Sequence, residues 1–240
     1  MKMKYFFAKH NLRAFIAVLS LSVVFAACNK HKDITRTPAA GLMTFNLAPD
    51  QDAIGVKLDG NNLTAAPLAY TNFSGVYNSV YTGNRVVTTF AYFSGTTLLS
   101  TNQTFDDSTY YSMFFVGSNG NYNNLIVKDN LDSLPSGTGQ AFIRYINAIP
   151  DSVRQPMVDV TSTGNDVFNT AAPFKTVSNF KGVSPGTIAI SVVSDTAINA
   201  TRDITVEQGK VYTILLVGMP NATDAAQQVA IKFIQNGTIQ

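Results

Sequence analysis

The chain has 240 residues, 45% of them hydrophobic and only 13% charged, so a core is easily filled while the charged share is about half the usual one. Seventeen Lys and Arg against fifteen Asp and Glu leave a formal charge of +2, which excludes the basic field that grips nucleic acid. Sixteen Phe and ten Tyr, with abundant β-branched residues, exclude a disordered chain as well.

Lys2, Lys4, Lys9 and Arg13 precede an uncharged apolar run from Ala14 to Ala27. That run is too short to cross a hydrocarbon layer of about 30 Å and suits the core of a signal peptide, expected over residues 1–27. Phe25-Ala26-Ala27-Cys28 resembles a lipobox, with Phe where Leu is commoner. The resemblance implies cleavage before Cys28 and lipidation of that residue with palmitate-type chains. The alternative is an ordinary secreted protein cut after Ala27, which would leave a lone exposed thiol in an oxidising compartment. Each buried CH₂ of an acyl chain contributes about 0.8 kcal/mol, so several chains anchor stably to a membrane. Without the leader, thirteen basic residues face fifteen acidic ones, a net −2; the apparent basicity belongs to the targeting segment. Asn29 rather than Asp follows the cysteine, which points to a lipid-anchored protein of the outer membrane, its periplasmic or surface orientation left open.

Asn29 to Ala40 is polar and reads as a tether, making residues 28–40 the lipidated N-terminus and linker to the folded part. From Leu42 onward, short β-branched and aromatic runs alternate with Gly, Asn, Asp and Pro, the pattern of strands joined by hairpins. Asp59-Gly60 is expected to form a tight turn. Thr223–Gln228 is the one helical candidate, and it is short. The chain also repeats itself. Asn46-Leu47-Ala48-Pro49-Asp50 matches Asn147-Ala148-Ile149-Pro150-Asp151, and Tyr111 to Gly117 matches Tyr212 to Gly218, both at an offset of 101. Val80-Tyr81-Thr82-Gly83 aligns with Val183-Ser184-Pro185-Gly186 after a small shift. Such a period is too long for a solenoid or propeller repeat and fits two copies of one domain: residues 41–130, a breaker-rich linker at 131–138, and residues 139–238. About ninety residues with seven or eight short strands suit a β-sandwich, so the expected fold is all-β with two tandem immunoglobulin-like sandwiches. The Cys…Trp…Cys core of antibody domains is missing, because the chain has no Trp and one Cys.

The run Ala141 to Ala148 followed by Pro-Asp, then Val158-Asp159-Val160, Val183 to Thr187 and Gly209 to Thr213, resembles the bacterial family named domain of unknown function 4397. The resemblance spans both copies, about residues 41–236, and is clearer in the second; in the first, Thr82 stands where the second copy has Pro185. It implies a secreted or lipid-anchored β-sandwich and brings no catalytic motif.

Chemistry-bearing residues are few. After the leader the chain offers one histidine, His31 in the tether, one glutamate, Glu207, and no thiol beyond Cys28. A nucleophile–imidazole pair and a transition-metal site therefore lack their parts. Gly137-Thr138-Gly139 begins a dinucleotide-like pattern but has Phe142 at the third position and no helix after it. Facing carboxylates of the glycosidase kind are disfavoured. Asp50-Gln51-Asp52 and Asp129-Asn130-Leu131-Asp132 place oxygen atoms where calcium could bind, but turn-capping is the better reading. Asp107-Ser108, Asp132-Ser133, Asp151-Ser152 and Asp195-Thr196 resemble an acceptor motif for O-linked sugars. No catalytic residue, metal or cofactor is expected. The function expected is that of a non-enzymatic interaction or envelope-structural module, with the membrane and a protein or glycan as partners. The alternative is a surface glycan-binding protein working through Tyr77, Tyr81, Tyr92 and Tyr111, since exposed Tyr stacks on sugars and anchors partners.

Overall fold

The computed structural model describes residues 36–151 and 153–239; the expected signal peptide, Cys28 and most of the tether lie outside them. The first copy is built from β1 (Ala39–Asn46), β2 (Ala53–Leu58), β3 (Asn61–Asn62), β4 (Leu68–Ala69), β5 (Asn78–Tyr81), β6 (Gly83–Ala91), β7 (Thr97–Phe105), β8 (Tyr110–Ser118) and β9 (Asn121–Lys128). The second runs through β10 (Ala141–Asn147), β11 (Met157–Ser162), β12 (Asn165–Ala171), β13 (Lys181–Val183), β14 (Gly186–Asp195), β15 (Ile198–Val206), β16 (Lys210–Val217) and β17 (Ala230–Thr238). Two 3-10 turns, Leu131–Ser133 between the copies and Ala225–Gln227 in the segment expected to be helical, are the remaining elements. The protein is all-β.

The duplication reappears in the hydrogen bonding. One sheet of the first copy has the order β5-β1-β8-β9, and one sheet of the second has β13-β10-β16-β17. In both, the first strand pairs in parallel with the penultimate long strand: Asn46 lies beside Phe115, and Asn147 beside Leu216, at the same offset of 101. The other sheets, β3-β2-β6-β7 and β12-β11-β14-β15, are antiparallel equivalents. Each copy packs its two sheets face to face around its own apolar core.

The Asn-x-x-Pro-Asp motif throws the chain from one sheet to the other. Buried Asn46 donates to the carbonyls of Gln51 and Leu68 and accepts the amide of Ala48; Asn147 donates to Ala172 and accepts from Ile149. As a result β1 and β2 lie in different sheets. A constant-type immunoglobulin domain, by contrast, keeps its first two strands in one sheet. A tyrosine corner is nevertheless present twice: the hydroxyl of Tyr111 accepts the amide of Asp106, and that of Tyr212 accepts the amide of Glu207.

Turn chemistry follows the sequence. Asp59 and Gly60 both take positive φ between Leu58 and Asn61, a two-residue hairpin of the kind whose twist matches its strands. Gly117 and Gly218, at equivalent positions, have φ near 110° and 106°, and a Cβ there would meet the carbonyl oxygens of Asn121 and Gln228 at 2.1 and 2.3 Å. Only glycine fits either place.

A third core lies between the copies. Met43, Phe45, Leu47, Phe114 and Val116 of the first copy pack with Ile146, Ala148, Leu215, Val217 and Ile234 of the second. β1, β8, β10 and β16 are thus covered on both faces, which explains their nearly continuous apolar runs. Pro38–Gln240 forms one compact unit of four stacked sheets with three apolar layers between them.

Candidate functional site

A buried polar cluster lies at one end of this middle core. Arg144 replaces, at the offset of 101, the buried Met43 of the first copy, and its side chain is 2% exposed. It points between the two inner sheets. Its Nη1 donates to Asp129 Oδ1 at 2.7 Å, its Nη2 to Ser112 Oγ at 2.8 Å and its Nε to Thr213 Oγ1 at 3.0 Å. Ser112 and Thr213 are themselves equivalent residues of β8 and β16, so both copies supply a hydroxyl to one guanidinium. Phe180 covers the group at 4.4 Å from its ring centre, and Phe114 lies at 5.6 Å.

Asp129, directly after β9, is wholly buried. Its Oδ2 accepts from Tyr77 Oη at 2.5 Å and from Ser112 Oγ at 2.8 Å. Thr213 Oγ1 donates in turn to Asn236 Oδ1 at 2.6 Å. A buried ion pair is tolerable only when its remaining donors and acceptors are also satisfied, and here each guanidinium nitrogen and each carboxylate oxygen has a partner. Burial, and then the neighbouring Asp129 charge, push the Tyr77 phenol well above its ordinary value, so Tyr77 stays protonated as a donor at any physiological pH.

Two clefts flank the cluster, one of about 330 Å³ with Asp129, Arg144 and Phe180 among its walls, the other of about 480 Å³ with Tyr77, Tyr110 and Asn236. Leu134 of the linker stands in both. With both oxygens of Asp129 already accepting, the chemistry of the cluster is orientation: it fixes the two inner sheets and the linker against one another.

The tyrosines singled out from the sequence are not brought together. Tyr77 packs edge-on to Tyr110 at 4.9 Å and is committed to Asp129. Tyr111 is 1% exposed, its ring against Phe105 and its hydroxyl in the corner; it offers no surface, because in β8 it is Tyr110 that faces outward. Tyr81 is 65% exposed at the end of β5, and Tyr92 sits just beyond the opposite end of β6. The nine residues of β6, about 30 Å of strand, stand between those two. In the calcium-like loops, Asp50 Oδ2 accepts the amide of Asn119 and the hydroxyl of Tyr122 while its buried Oδ1 has no partner, and Asp129 serves Arg144. Arg144, Ser112, Asn236 and Phe180 were missed from sequence. The signal that could have found Arg144 is a single charge inside the apolar run of β10, aligned by the repeat with a methionine.

The family described as Domain of unknown function (DUF4397) matches this chain twice, over residues 40–153 and 141–235. No protein with a curated description matches it. Among solved structures, the chain is similar to one named "a putative cell adhesion protein from Bacteroides eggerthii", at 11% identity and a TM-score of 0.23, over 82% of this chain and 95% of that one.

Proposed function

The chain belongs to the DUF4397 family, as two copies of its domain, and we propose that it is a non-enzymatic interaction or envelope-structural module held at the outer membrane by lipid on Cys28. The observation that carries this reading is the shared middle core, which turns two sandwiches into one stiff body. The chain enters that body at one end, and the loops that follow β1 lie at the other. β1 leaves the entry end at Ala39, and after eight residues, about 27 Å of strand, reaches the loops that follow Asn46. The equivalent loops of the second copy lie at the same end, where Gln227 Nε2 donates to the carbonyl of Pro49. Large apolar side chains stand in water there in both copies, Phe93 at 81% and Val153 at 85% exposure. A membrane tether at the N-terminal end would hold this loop end away from the bilayer. The immunoglobulin-like character in this proposal is confined to two packed sheets and a corner tyrosine.

Radiolabelled palmitate, followed by fractionation of the native host, tests the anchor. The wild type should carry label in the outer membrane, and Cys28→Ser should lose label, enter the soluble fraction and fail to complement a deletion. An unlabelled wild type, or a Cys28→Ser protein that complements fully, would overturn the proposal.

A further inference from the structure

The β3-β2-β6-β7 sheet is an outermost layer, and among the described residues no element packs on its solvent face. There Phe90 stands directly opposite Gly55. Its ring occupies the space a side chain at 55 would need, with Cζ 2.3 Å from the position of a Cβ, so the glycine lets the ring lie down on the sheet. Tyr92 continues the strip, its ring 6.3 Å from that of Phe90 and inclined by only 19°. Phe93 meets Tyr92 edge-on at 5.7 Å and projects from the turn. One pleat away on the same face, Lys57 holds its ammonium 4.7 Å from the Phe90 ring centre. It pairs with no carboxylate among the described residues. None of the strands of this sheet contains Asp or Glu, and Asp59, in the adjoining turn, is engaged by Arg85. Beside Lys57, Thr88 and Ser100 share a hydrogen bond at 2.9 Å.

The second copy provides an internal comparison. At the register where Gly55 opposes Phe90, it has Met157 opposite Val193; where Lys57 opposes Thr88, it has Asp159 opposite Ser191. The sheet is kept, the ring is gone and the charge is reversed. The fold therefore does not require this strip or its lysine.

We propose that this face of the first copy is a binding platform for an acidic glycan, a chain of sugars bearing carboxylates. Flat aromatic faces stack on the apolar faces of sugar rings, the unpaired ammonium is complementary to a sugar carboxylate, and the hydroxyls beside it exchange hydrogen bonds. Aromatic anchors for a protein partner sit in well-packed, desolvated pockets, whereas these rings run along an open face. The proposal names a ligand class for the interaction reading above but does not depend on the lipid anchor.

Affinity electrophoresis of the purified chain through gels containing polygalacturonate or neutral dextran tests it. Polygalacturonate should retard the wild type and dextran should not, with retardation falling as salt screens the charge. Lys57→Gln should weaken binding about tenfold, in the range expected for one charge-assisted contact. Tyr92→Ala with Phe93→Ala should abolish it, and Asp159→Asn in the second copy should leave it unchanged. Phe93→Ser alone, at a side chain standing in solvent, should still weaken binding if the double variant fails to fold. Absence of retardation of the wild type, equal retardation by dextran, or undiminished binding by a folded Tyr92→Ala, Phe93→Ala protein would each overturn the platform. None of these results would touch the Cys28 test, so the two readings fail separately.

Discussion

Replacing Asp129 with alanine strips the buried guanidinium of its carboxylate and leaves the hydroxyls of Tyr77 and Ser112 without their acceptor. Removing one partner of a buried ion pair costs about 3–5 kcal/mol, because the other charge is left uncompensated. That is about a third to a half of the stability of an ordinary domain. Arg144→Met installs the side chain that the first copy already carries at the equivalent place, buried Met43. The double variant Asp129→Ala, Arg144→Met removes both charges together, so it should regain most of the loss, with a coupling energy of about 3 kcal/mol between the two sites. The chain has no tryptophan, so urea unfolding followed by far-ultraviolet circular dichroism is the suitable assay. A cost for Asp129→Ala below about 1 kcal/mol, with the two substitutions simply adding, would place the pair in the class of solvent-screened ion pairs and refute the reasoning.

Other consequences follow from single positions. Gly117→Ala should destabilise by at least twice as much as Gly120→Ala in urea unfolding. Both have positive φ, which costs about 1–2 kcal/mol for a residue with a Cβ, but only at 117 does the new atom meet a backbone oxygen, 2.1 Å away. Asp151 provides a pH test. Burial works to raise its carboxyl, but the amides of Arg154 and Val153 and the Arg154 guanidinium outweigh it and hold it below the ordinary range. A carboxyl lowered in the folded state stabilises above its unfolded value near 4 and loses that contribution as pH falls through the folded value. Asp151→Asn should therefore lower the melting temperature at pH 7, and the difference should shrink as pH falls below the ordinary carboxylate range.

Much of the architecture is legible in single residues. The offset of 101 between the Asn-x-x-Pro-Asp motifs survives as identical strand register in the two inner sheets, and Asp59-Gly60 forms the turn its positive-φ preference dictates. The middle core is harder to read because Tyr111 to Val116 and Tyr212 to Val217 are mostly apolar on both faces, interrupted by Ser112 and Thr213. Such a run shows only that both faces are covered, and the cover here is the other copy. The ion pair depends on that same contact. Arg144 and Asp129 are fifteen positions apart, but Ser112 and Thr213 reach them only once the inner sheets meet. Tyr111 illustrates a different limit. Alternation says that Tyr110 and Tyr111 face opposite ways, yet which one faces water depends on which side the sheet buries. For the same reason the Gly55–Phe90 contact is invisible until β2 is known to pair with β6.

The central claim is that the two copies are one folding body through their shared core. Native-state hydrogen exchange on Phe114→Ala, which empties part of that core at a cost of about 3–5 kcal/mol, tests it most directly. Amides of β16 in the second copy should lose protection together with those of β8 in the first, by the same factor. Undiminished protection of β16 beside a weakened β8 would show two sandwiches that stand independently, and would contradict the account.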